Sequence, residues 1–86
     1  MTTQAYLSIG GDFLVHGSAV LGFFDLDSTT VTAPGRNFLR MAQERGEVCP
    51  LGDDLPKSFI LTESARQTRL YLSPLNTATL HKRAEP

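Results

Sequence analysis

The sequence predicts a small α+β domain: a mostly antiparallel or mixed β-sheet with one main helix and a short C-terminal helix. Three observations lead there. The N-terminal third is apolar in alternation or in short runs, and glycines interrupt it. One two-faced stretch between Thr32 and Gly46 has helical spacing. Two later β-type stretches flank a polar turn and run into Ser73-Pro74, a pair that opens helices.

Ala5–Ile9 alternates, with Ala5, Leu7 and Ile9 on one face and Tyr6 and Ser8 on the other. Gly10-Gly11 supplies a turn, and Phe13–His16 is the return strand. Ala19–Leu26 is a nearly continuous apolar run bounded by turn residues, too short for a core helix. It reads as a central strand buried on both faces. Ser28–Thr32 is polar and β-branched and reads as a loop. Thr32 caps a helix that starts near Ala33-Pro34 and ends before Gly46. On a helical wheel Phe38, Leu39, Met41 and Ala42 share a broad face opposite Arg36, Asn37, Arg40, Gln43 and Glu44.

Glu47–Leu51 follows as a short strand, and Gly52–Pro56 as a loop. Ser58–Thr62 and Arg69–Ser73 are strands joined by the turn Glu63–Thr68. Ser73 is expected to cap a second helix, with Pro74 in its first position and Lys82-Arg83 near its end.

Residues 1–86 are expected to form a single domain with an ordered core over about 4–83. A chain this short buries only roughly 60% of its unfolded surface, so copies that share apolar faces are expected. One helix covers one sheet face, which leaves Tyr6, Phe23 and Tyr71 as candidates for a subunit interface. The hydrophobic share of 41% is too high for disorder. Net charge is −1, so any attraction to a polyanion must be local or repeated across subunits. The lone Cys49 excludes an internal disulfide and fits a reducing compartment. Neither a secretory leader nor an apolar run of membrane-spanning length is visible, which predicts a cytoplasmic protein.

No enzyme is predicted, and no cofactor or metal. Asp25-Leu26-Asp27-Ser28-Thr29 has the D-x-D-x-T spacing of aspartate-nucleophile phosphatases, in which one carboxylate attacks phosphorus, a second protonates the leaving group and Mg²⁺ bridges them. Gly52-Asp53-Asp54 imitates a downstream acidic metal motif. Such enzymes need a doubly wound sheet, and the stretch from Asp27 to Gly52 is shorter than a single βαβ unit of roughly 30 residues. A strand-end Asx turn accounts for the aspartates. His16 lies in a strand without a G-x-S-x-G elbow, and Cys49 reads as a small buried hydrophobe.

The basic residues fall into separate groups. Arg36 and Arg40 lie one helical turn apart, where guanidinium forks suit phosphates, although a solvated helix face accounts for them as well. Lys82 and Arg83 follow His81, where complementing a helix dipole is the competing explanation. Lys57, Arg66 and Arg69 border the late hairpin. The candidate nucleic-acid contacts are Arg36, Arg40, Lys57, Lys82 and Arg83.

Four segments carry a family resemblance: YLSIGGDFLVHGSAVLGFFDLDSTT, FLRMAQERGEV, DDLPKSFILTE and LYLSPLNTATLHKR. Their order and spacing over Tyr6–Arg83 resemble the RemA/RemB family of bacterial extracellular-matrix regulators, and in particular its RemB branch. The resemblance implies a protomer similar to LytTR DNA-binding domains. It further implies ring-like homo-oligomers and control of biofilm matrix genes through backbone contacts to DNA. RemA-like chains carry an arginine-rich G-R-R-T-R turn after the main helix, whereas Gly52-Asp53-Asp54-Leu55-Pro56-Lys57 stands here. Two aspartates would repel phosphates at that turn. Two expectations follow: a DNA-binding regulator using other cations, or an oligomeric module that works through a protein partner or a RemA-like paralogue.

Overall fold

The computed structural model describes residues 6–85. Among them six strands, three α-helices and one 3-10 turn follow in chain order. Strand β1 (Tyr6–Gly10) pairs antiparallel with β2 (Phe13–His16) as a separate two-stranded ribbon. After the 3-10 turn Gly17–Ala19 come β3 (Val20–Asp25), α1 (Leu26–Thr30), α2 (Ala33–Glu44) and β4 (Val48–Pro50). Then come β5 (Ser58–Ser64), β6 (Gln67–Ser73) and α3 (Thr77–Ala84). The main sheet has the order β3-β5-β6-β4, antiparallel except for the parallel β4–β6 pair. The predicted α+β class stands. Ala5 and Gln4, predicted to join the first strand and the ordered core, lie outside the described residues.

Side chains that alternate along β5 and β6 feed two cores. Phe59, Leu61, Leu70 and Leu72 meet Ala42 and Leu39 of α2 on one face. Ile60 and Tyr71 meet Leu7, Ile9, Leu51 and Leu80 on the other, beneath the β1–β2 ribbon and α3. Ile9, Ile60, Leu70 and Leu80 are fully buried, and each such side chain contributes about 1.5–3 kcal/mol. Both faces of the sheet are therefore covered from within the chain. Of the residues expected at a subunit interface, Phe23 and Tyr71 are half-buried against this second core, Phe23 edge-on to His81 with centroids 4.9 Å apart, whereas Tyr6 is 56% exposed.

The apolar run Ala19–Leu26 is not central. It forms the edge strand β3, with Leu21 60% and Phe24 41% exposed, because the hairpin strands β5 and β6 take the middle of the sheet. The predicted loop Ser28–Thr32 is largely helical. Asp25 caps α1 by accepting from the Ser28 N–H at 2.8 Å, and the Thr29 hydroxyl donates to the Asp25 carbonyl at 2.8 Å. Local side-chain bonds thus override weak helix propensity. Asp27 takes part through its carbonyl, which accepts from Thr30 Oγ1. A Cβ on Gly35 would lie 1.9 Å from the Thr29 carbonyl oxygen, so the approach of α2 to α1 requires glycine.

Helix α2 follows its prediction. Thr32 Oγ1 accepts from the Gly35 N–H at 3.1 Å, and Gly46 takes φ +73° just beyond Arg45. The predicted turn Glu63–Thr68 contracts to Ala65-Arg66 as the strands lengthen. Ser73 does not cap the last helix. It remains in β6, and its buried hydroxyl donates to the Ile9 carbonyl at 2.5 Å and accepts from the Leu75 N–H at 3.1 Å. Asn76 is the cap, accepting from the Thr79 N–H at 2.8 Å. No helix among the described residues is long and apolar enough to cross a membrane.

Ser73 lies directly across from Ser58, and both are fully buried, but the Ser58 hydroxyl has no hydrogen-bond partner among the described residues. The two serines should respond oppositely to truncation. Ser73→Ala should cost about 1–3 kcal/mol by orphaning buried groups and loosening the ribbon from the sheet. Ser58→Ala should be neutral or stabilising. Urea unfolding of the two variants measures the difference.

Candidate functional site

The five predicted cations do not converge. Arg36 and Arg40 are exposed on α2, over one face of the main sheet, whereas Lys82 and Arg83 end α3 over the other. Arg36 Nη1 donates to the Thr30 carbonyl at 2.9 Å, tying α2 to the end of α1. Arg40 pairs with Glu44 at 2.8 Å; both side chains are more than half exposed, so the pair contributes little stability. Arg83 Nη1 reaches Ser8 Oγ at 3.2 Å on β1. Lys57 is held by its backbone, whose N–H donates to the Ser73 carbonyl while its own carbonyl accepts from Leu26. Its side chain is exposed.

A different set of cations does converge. Arg45, Arg66 and Arg69 line a groove of about 340 Å³ together with Gly46, Glu47, Gln67 and Thr68. The parallel β4–β6 pair builds it. The Leu70 N–H donates to the Glu47 carbonyl at 2.8 Å, which sets the C-terminal end of α2 beside the start of β6. Carbonyls at that helix end are already satisfied: Met41, Ala42 and Gln43 accept from Arg45, Glu47 and Gly46. Three guanidinium groups face one carboxylate, Glu47, which lies 3.9 Å from Arg45, so the lining carries two net positive charges. Among the described residues the Arg69 guanidinium donates to neutral partners, Gln67 Oε1 at 3.4 Å and the Cys49 sulfur at 3.8 Å. Exposed guanidinium forks with uncompensated charge suit phosphate oxygens.

Sequence reasoning groups Arg66 and Arg69 with Lys57 and gives Arg45 no role. No local pattern links Arg45 to Arg69, because a long-range strand pairing makes them neighbours. The turn itself carries a signal. Ala65 and Arg66 have φ of 52° and 66°, the positive values that a two-residue hairpin turn ordinarily assigns to Asn-Gly. An arginine held in this region keeps a charged side chain at the hairpin tip at the expense of backbone strain.

The phosphatase-like aspartates form no such assembly. Asp25 is occupied as a helix cap, and among the described residues no group of three or more His, Cys, Asp or Glu side chains is placed to hold a metal ion.

No protein-family model matches the chain. Extracellular matrix regulatory protein B of Bacillus subtilis (strain 168) is 31% identical to it over 80 residues, which span 93% of this chain and 90% of the relative. The chain belongs to the family of that regulator. At the turn where the family resemblance places arginines, Asp53 and Asp54 are exposed in the loop between β4 and β5. Three cations gather instead in the Arg45–Arg66–Arg69 groove, at the closed end of the β5–β6 hairpin.

Replacing Arg66 by glycine relieves the positive-φ strain and removes one guanidinium. Arg66→Gly should therefore stabilise the fold, by a few tenths to about 1 kcal/mol, while weakening any anion bound in the groove. Thermal unfolding in the presence and absence of phosphate separates the two effects.

Proposed function

We propose that the protein is a non-enzymatic, cytoplasmic regulator of extracellular-matrix gene expression that binds DNA as a homo-oligomer. The relative's name supplies the regulatory role. The observation that carries the DNA reading is the groove of three arginines against a single carboxylate. Its exposed guanidinium groups suit a phosphodiester backbone better than base edges, so binding would tolerate sequence variation. Arg36, Arg40, Lys57, Lys82 and Arg83 serve as outlying contacts, which neighbouring subunits bring to a DNA path that one protomer cannot span. Repetition of a modest site around an oligomer multiplies its affinity, which reconciles the reading with a net charge of −1.

The self-association surface is assigned to the outer side of β3 and α2. An apolar groove of about 390 Å³ there is lined by Phe24, Pro34, Phe38, Phe59 and Leu61. Phe24 stacks on Phe59, with centroids 5.0 Å apart, yet both Phe24 and Phe38 stay more than two-fifths exposed. Leu21, Val31 and Met41 are exposed on the same elements or the turn between them. Burial of such a surface in a second copy is the ordinary remedy for exposed aromatic side chains.

A second reading has support in the acidic loop. Leu55 is 85% exposed directly after Asp53 and Asp54, an arrangement that suits a basic partner protein with an apolar socket. In that case the chain acts through a partner or a RemA-like paralogue without touching DNA.

Fluorescence anisotropy with promoter-like duplex should show binding at ~50 mM salt that weakens steeply by ~200 mM. Arg66→Glu should lower affinity and reduce the salt slope by about one for each phosphate it leaves unneutralised. An absence of duplex binding at the lower salt removes the DNA reading and favours the partner reading. Light scattering should give a mass several times that of the chain, and Phe38→Glu should reduce it to monomer with the circular dichroism spectrum unchanged. A wild-type monomer at high concentration defeats the oligomer.

A further inference from the structure

The arginine groove shares a wall with a second cavity. On the other side of Gln67 and Arg69, which line both, lies a chamber of about 430 Å³ that includes Tyr6, Val15, His16, Thr62, Ser64 and Tyr71 in its lining. Its volume falls within the roughly 300–1,000 Å³ usual for small-molecule sites. Tyr6 and His16 are cross-strand partners in the β1–β2 ribbon, with ring centroids 4.6 Å apart, and both are exposed at the chamber. Tyr71 rises from β6. Thr62 Oγ1 donates to the Arg69 carbonyl at 3.2 Å, fixing the backbone of the residue that separates the two compartments.

We propose that the two cavities together bind one nucleotide, with its base in the chamber beside Tyr6, His16 and Tyr71 and its phosphate on Arg66 and Arg69. Aromatic faces suit any base by stacking. The polar groups interspersed among them, Gln67, Ser64 and His16, offer donors and acceptors for base edges that a plain phenyl group would leave unmatched. An adjoining cationic compartment is where the phosphate of such a ligand falls. The inference rests on the reading of the arginine groove as a phosphate site, and it adds a form of regulation. A nucleotide on Arg66 and Arg69 occupies the guanidinium groups assigned to duplex DNA, so the two ligands compete.

The test is calorimetric titration of the full chain with AMP, GMP, inorganic phosphate, O-phosphotyrosine and a short thymidine oligonucleotide, with duplex DNA measured in parallel. Saturable binding of a mononucleotide or of the single strand, tighter than inorganic phosphate by roughly tenfold, is expected from stacking. Which of the two binds identifies a free nucleotide or an unpaired strand as the source. Tyr6→Ala and His16→Ala, both at exposed positions, should each weaken that binding severalfold and spare duplex binding, while Arg66→Glu should weaken both. Duplex binding without nucleotide or single-strand binding overturns the inference and leaves the DNA reading intact. Nucleotide binding without duplex binding upholds the inference and removes the DNA reading. Equal affinity for inorganic phosphate, or tighter binding of O-phosphotyrosine, overturns it by showing that no base is recognised.

Discussion

The antiparallel pairing of β5 with β6 is the constraint on which the other elements depend. These two strands occupy the middle of the main sheet, and each outer strand bonds only to one of them. Their alternating side chains supply both cores: Phe59 and Leu70 face α2, while Ile60 and Tyr71 face the ribbon and α3. Because successive residues point to opposite faces, a one-residue slip of this hairpin would empty both cores at once. A two-residue turn holds the register, and it does so with Ala65 and Arg66 in a backbone region where glycine would be more comfortable.

That same turn links stability to the proposed function. Arg66 stands at the tip, Arg69 follows three residues later in β6, and the parallel β4–β6 contact carries Arg45 to the same place. A chain with one excess negative charge thus gathers two excess positive charges in a single groove. Local geometry, rather than overall charge, determines where positive charge gathers on this protein. The acidic residues Asp53 and Asp54 stand apart from the groove lining, in the loop between β4 and β5.

The distribution of apolar surface follows from the strand order. With β3 at the edge, a run of residues suited to full burial is covered on the side of the ribbon and α3 but left open beside α2. The short helix α1 and the tight approach at Gly35 seat α2 so that Phe38 overlaps Phe59 without enclosing Phe24. A monomer of this form satisfies its sheet on both faces and still presents aromatic side chains to water. The exposed apolar surface therefore lies along the edge strand and the outer side of α2.

The amino-acid sequence by itself determined the elements whose signals are local. Thr32 and Gly46 bound α2 because a cap hydroxyl and a left-handed glycine act within one turn of their own positions. Gly10-Gly11 closes the ribbon for a similarly local reason, and a polar turn between two β-type stretches marks β5 and β6. It also showed that the cations lie in several groups, without showing which would meet. Strand order, the cover on the second sheet face and the role of Ser73 came only with the tertiary structure. Each depends on contacts between residues far apart in the chain, such as Ser73 with Ile9 and Glu47 with Leu70. The arginine groove belongs to that second class: hydrogen bonds across a parallel pair bring its members together, and no periodicity along the chain records such a pairing.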